Sequence, residues 1–81
     1  MEEKIAIIGL FVRDYESANS VNELLHKHGD KIIGRMGVPY RDNNMSIISV
    51  IVRATGDEIS ALSGSIGRLD GVTVKSMQTS L

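Results

Sequence analysis

The sequence predicts an α+β fold: a ferredoxin-like βαββαβ sandwich with an antiparallel sheet ordered 4-1-3-2 and both helices on one face. Three observations point there. Strand-like and helix-like apolar spacings alternate in the order βαββαβ along 81 residues. The segments 5–12 and 45–54 are apolar on both of their faces, as central strands are. Two amphipathic stretches of helical period separate the strands at the places where right-handed crossovers are needed.

Residues 5–12 form a continuous apolar run bounded by Lys4 and by Arg13-Asp14, and read as a buried strand. From 15 to 28, Ala18, Val21, Leu25 and His28 recur at spacings of three and four, while Glu16, Asn19, Asn22, Glu23 and Lys27 lie largely off that stripe. Asp14 suits the N-cap, and Gly29 is expected to close this helix in a left-handed conformation. The second strand spans about 31–38, and Gly34 with Gly37 suits an edge strand carrying a bulge or a close backbone approach. Pro39-Tyr40-Arg41-Asp42-Asn43-Asn44 has hairpin-loop chemistry.

The third strand, 45–54, places Met45, Ile47 and Ile51 on one side and Ile48, Val50, Val52 and Ala54 on the other. After Thr55-Gly56, Asp57 and Glu58 open a second helix with the stripe Ile59, Leu62, Ile66 and Leu69, ended by Asp70-Gly71. Gly64 and Gly67 inside it cost about 1 kcal/mol each relative to Ala, so close packing or a ligand is a fair reason for them. Residues 72–79 make a more polar last strand, expected at an edge. The helices cover one sheet face only. The other face is expected to expose apolar side chains from both central strands, and self-association or a partner protein would cover it.

Composition sets the remaining bounds. With 42% hydrophobic and 23% charged residues, the chain reads as one domain, residues 1–81, too small for a second core. A net charge of -1, a pI near 6.0 and the lack of a basic run argue against direct nucleic-acid binding. Cysteine is absent, which removes disulfides, thiolate ligands and a Cys nucleophile. The apolar run before Arg13 is too short to span a membrane, so a cytoplasmic location without membrane contact is the expectation.

The segments VNELLH (21–26), RMGVPYRDNNMSII (35–48) and ALSGSIGRLDGVTVK (61–75) carry a resemblance. They resemble the small bacterial proteins named as putative regulators of the iron-only hydrogenase system, whose fold is ACT-like. The resemblance spans nearly the whole chain. It implies an ACT-like, ferredoxin-like, oligomeric regulatory domain, associated with hydrogenase by name and genomic context. The chain is also similar to the C-terminal sensor domain of the nickel-responsive repressor, an ACT-like domain that tetramerises.

His26 and His28 stand at i, i+2, about 200° apart on a helix, and do not share a metal-binding face. No metal or cofactor is expected, and the repressor's nickel site does not transfer. The better polar group is Arg35, Arg41 and Asn44: guanidinium groups hold carboxylate or phosphate bidentately, and an Asn beside them orients a ligand. Ser63-Gly64 adds a small-residue surface for a ligand or a neighbouring helix. Each also has a structural use, as edge protection, a solvated turn charge, a turn-shaping side chain and helix packing respectively.

The first and third strands are expected to run parallel, which would bring Arg13 and Arg53 to one sheet end as a second candidate anion site; the acids beside them favour ion pairs and caps. The Gly-rich loop by which ligand-binding ACT domains usually join first strand and helix is replaced here by Arg13-Asp14-Tyr15-Glu16. The leading expectation is a non-enzymatic, homo-oligomeric regulatory or interaction module, dimer or tetramer, with a protein partner linked to hydrogenase. The alternative is a sensor of an anionic small molecule. An acylphosphatase-like hydrolase is less well supported, because the first loop lacks glycines and Asn44 is expected at the sheet end opposite Arg13.

Overall fold

A computed structural model describes residues 2–81. Strand β1 is Glu3–Val12, helix α1 Tyr15–Lys27, β2 Ile32–Tyr40, β3 Met45–Thr55, helix α2 Gly56–Gly67 and β4 Val72–Ser80. The sheet order is β2-β3-β1-β4, with all three neighbouring pairs antiparallel. This is the predicted ferredoxin-like sandwich. Both central strands are the apolar ones and both edges are the weaker ones.

One sheet face meets the helices. Ala6, Ile8, Leu10 and Val12 of β1 and Ile48, Val50, Val52 and Ala54 of β3 are buried there against Val21 and Leu25 of α1 and Ile59, Leu62 and Ile66 of α2. The alternation explains the choice of residues, since positions two apart along a strand share a face. Burying each Leu or Ile fully contributes about 1.5–3 kcal/mol, an upper range because unfolded chains already hide some of that surface.

The helix ends follow from their caps. Asp14 Oδ1 accepts the Glu16 N–H at 3.0 Å and starts α1. Thr55 and Glu58 start α2 with a reciprocal capping box, the Glu58 N–H donating to Thr55 Oγ1 and the Thr55 N–H to Glu58 Oε1. The Glu58 carboxylate is also 3.4 Å from Lys31 Nζ, which ties the turn before β2 to the start of α2.

Two expectations need correction. Gly29 is not left-handed: α1 runs on into a 3-10 turn, Gly29–Lys31, where the His28 and Lys31 N–H groups satisfy the last carbonyls without a positive φ. Among the described residues positive φ falls at Asn44 and Gly71 instead.

Strands β1 and β3 are antiparallel, not parallel as expected, with Glu3 opposite Thr55 and Val12 opposite Ser46. Helix α1 carries the chain back so that β2 runs parallel to β1, and the hairpin then reverses it. Arg13 and Arg53 therefore lie at opposite sheet ends. Arg13 Nη1 donates to Thr73 Oγ1, and Arg53 Nε pairs with Glu3 Oε1 at 3.0 Å. The bulge expected from the β2 glycines is present as a register shift between Ile32 and Gly34.

Candidate functional site

The same reversal brings the hairpin turn to the end of the sheet where β1 enters α1. A cleft of about 170 Å³ opens there, with Asp14 and Tyr15 on one wall and Arg41, Asn44 and Ser46 on the other, over Val12 and Pro39. Asn44 shapes the turn through its left-handed backbone, φ 54° and ψ 45°, and its N–H donates to the Arg41 carbonyl. The Arg41 guanidinium has no ion-pair partner among the described residues, while Asp14 spends one carboxylate oxygen on its cap. A cation, a carboxylate, an amide and a hydroxyl thus surround a small, partly apolar hollow. That arrangement can hold a compact ligand carrying an anionic group.

Of the residues singled out in the sequence, the structure brings Arg41 and Asn44 together and separates the other three from them. Arg35 lies six residues back along β2, on the order of 20 Å away at strand spacing, and its Nη2 donates to Asn22 Oδ1 of α1 at 3.0 Å. It clips the edge strand to the helix. Ser63 and Gly64 sit within α2 and line no part of the cleft. The Ser63 hydroxyl is buried with no hydrogen-bond partner, and beside Gly64 the nearest atom to a Cβ would be Arg68 Nη2 at 3.9 Å. Asp14, Tyr15 and Ser46 were missed as wall residues, because parallel central strands would put the first loop and the hairpin at opposite ends. With the hairpin beside that loop, Asn44 no longer argues against acylphosphatase chemistry, but Arg13 is turned to Thr73 and the loop still has no glycine.

The second candidate surface is the sheet face that no helix covers. It is a grid of cross-strand rows: Met77, Ile7, Ile51 and Gly34 form one, Lys75, Gly9, Ser49 and Met36 the next, and Thr73, Phe11, Ile47 and Val38 a third. Ile7 is 43% exposed, Ile51 39%, Met36 66% and Met77 69%. Apolar side chains on all four strands thus form one contiguous patch, the kind that marks an interaction surface in soluble proteins.

Among the described residues no group of three His, Asp or Glu side chains gathers as a metal site. His28 Nδ1 lies 2.8 Å from the Leu24 carbonyl oxygen at the end of α1. No helix among these residues is long and apolar enough to cross a membrane.

Residues 4–76 match the family described as "TM1266-like: Iron-only hydrogenase system regulator, putative". The uncharacterized protein TM1266 from Thermotoga maritima has a similar structure, with 37% identity and a TM-score of 0.91 over 95% of this chain and 98% of that one. The ACT domain from the GTP pyrophosphokinase of Chlorobium tepidum is similar at 18% identity and a TM-score of 0.75, over 95% of this chain and 89% of that one. The C-terminal domain of the MgtC protein from Mycobacterium tuberculosis is similar at 13% identity and a TM-score of 0.71, over 95% and 88% respectively. The last two likenesses bear on the fold alone, which is ACT-like. No curated protein gives a significant match.

Proposed function

This chain belongs to the TM1266-like family of iron-only hydrogenase system regulators, and on that premise we propose that it is a non-enzymatic regulatory module that works by assembling through its open sheet face. The apolar grid on that face carries the reading: Ile7, Ile51, Met36 and Met77 lie exposed on four adjacent strands, and covering them supplies the driving force for association. A dimer or tetramer of the chain, in contact with a protein of the hydrogenase system, is the form in which it acts. Light scattering tests this. An assembly is expected, and a monomer at every concentration sinks the reading.

A second reading rests on the cleft between Asp14-Tyr15 and Arg41-Asn44. It makes the chain a sensor of a small anionic ligand, held by the unpaired Arg41 guanidinium and oriented by Asn44. The two readings are compatible, because the cleft lies at one end of the sheet and Tyr40 and Met45 border both surfaces. Calorimetry with carboxylates, nucleotides and amino acids tests it, with Arg41→Ala as the control that must lose the heat.

A further inference from the structure

Gly9 lies in the middle of central strand β1, and nothing in its own chain requires a glycine there. Its φ lies outside the left-handed region, and a Cβ built on it meets nothing closer than the Lys75 carbonyl oxygen at 3.7 Å, an ordinary contact. Glycine in a strand interior weakens the strand and often marks close approach by another backbone or by a ligand. Directly opposite Gly9 is another small residue, Ser49. The two make a trough across the central strands of the open face. Ile7 and Ile51, paired with each other, form a ridge on one side, and Phe11 and Ile47 stand on the other. On the helix-covered face the neighbouring positions are large and buried, so the trough belongs to the uncovered side.

We propose that the Gly9–Ser49 trough receives the Ile7–Ile51 ridge of a second copy of this chain, in a two-fold interface that makes the same fit twice. The inference rests on the reading of the open face as the assembly surface, and adds its occupant and register. Rows two residues apart along a strand are about 6.7 Å from each other. A two-fold axis lying between the sheets, across the strands and midway between the two rows, sets each ridge over the other copy's trough. The same patch thus serves as knob and as hole, which an isologous interface requires.

Width favours a second sheet over a lone helix, and charge favours the offset register. The apolar side chains reach from β2 to β4, whose axes are about 14 Å apart at the usual strand spacing, whereas a lone helix is about 10–12 Å across and would leave an edge strand uncovered. Lys75, at the β4 end of the trough row, would face Met77 of the second copy and stand one row away from the like charge. The offset of one row therefore suits the charges as well as the shapes.

Sedimentation equilibrium on the full chain tests this, with urea unfolding followed by circular dichroism as the check on folding. The chain has no cysteine to confuse the masses by oxidation. Gly9→Val is expected to fold at least as stably as the natural chain and to raise the dimer Kd at least tenfold, because its side chain fills the trough. Ser49→Leu should do the same although it adds apolar surface, and it decides the matter if Gly9→Val does not fold. The exchange variant Ser49→Ile/Ile51→Ser moves knob and hole by one row and should regain most of the affinity that Ile51→Ser alone loses. Undiminished dimerisation of both filling variants, with loss on Ile51→Asp, would overturn the trough while leaving assembly through the face intact. A natural chain that stays monomeric would overturn both.

Discussion

Gly71 packs directly against Asp14. With φ at +70°, it sits where a Cβ would come within 2.6 Å of the Asp14 Cβ and 2.9 Å of its backbone nitrogen. The Arg13 N–H donates to the Gly71 carbonyl at 2.7 Å, and the buried Ser17 hydroxyl donates to the carbonyl of Asp70. The entry to β4 is thereby fastened to the start of α1. Gly71→Ala meets both a left-handed backbone and a backbone clash, and should destabilise the fold by about 2 kcal/mol or more in urea titration. Gly29→Ala is the contrast: no positive φ and nothing within 4 Å of its Cβ, so stability should hold or rise slightly.

The Lys31–Glu58 pair predicts a pH dependence of definite sign. Hydrogen bonds from the Thr55 backbone and hydroxyl, and then the Lys31 ammonium, hold the Glu58 carboxyl below its ordinary value of 4.5. Its contribution is present above that value and lost as pH falls through the lowered one. The hydrogen bond to Glu58 and the charge of Asp30 raise Lys31 above 10.5, so its contribution is complete below 10.5 and fades as pH rises through the raised value. Glu58→Gln should flatten the acid limb of a stability-versus-pH curve measured by urea unfolding. An acid limb as steep as before would remove Glu58 as its cause.

Two isoleucines separate the faces of the sheet. Ile66 is fully buried between helix and sheet, and Ile66→Ala should cost about 2–5 kcal/mol of folding free energy. Ile51 is 39% exposed on the open face, and Ile51→Ala should change monomer stability by less than about 1 kcal/mol while weakening assembly. Denaturant curves at low protein concentration, set beside sedimentation at high concentration, distinguish the two effects.

Arg41→Ala should abolish any thermal shift produced by a small carboxylate or phosphate, and Arg35→Ala should not, because Arg35 is bonded to Asn22 and neither residue lines the cleft. A shift that survives Arg41→Ala would place the ligand elsewhere.

The fold was legible because apolar period and strand burial are local signals. The doubly apolar runs ending at Val12 and Ala54 reported central strands, and the stripes through Val21-Leu25 and Ile59-Leu62-Ile66 reported the helix faces. Strand direction was the link that failed. It follows from counting reversals through α1 and the hairpin, and misjudging it hid the meeting of Asp14 with Asn44 and paired Arg13 wrongly with Arg53. Arg35 was misplaced in another way: its type fits an anion site, but its partner Asn22 lies on a different element and leaves no sequence mark. Gly9 stood in an apolar run that read as a strand regardless, and its lack of a packing reason emerged only with the atoms around it.

The open sheet face, with Ile7, Ile51, Met36 and Met77 exposed on four strands, is the proposed driver of assembly. Light scattering coupled to size exclusion, run across a wide concentration range on the natural chain and on Ile51→Asp, tests it most directly. A dimer or tetramer is expected for the natural chain and a folded monomer for Ile51→Asp. A natural chain that remains monomeric at every concentration, or an Ile51→Asp variant that assembles as before, would contradict it.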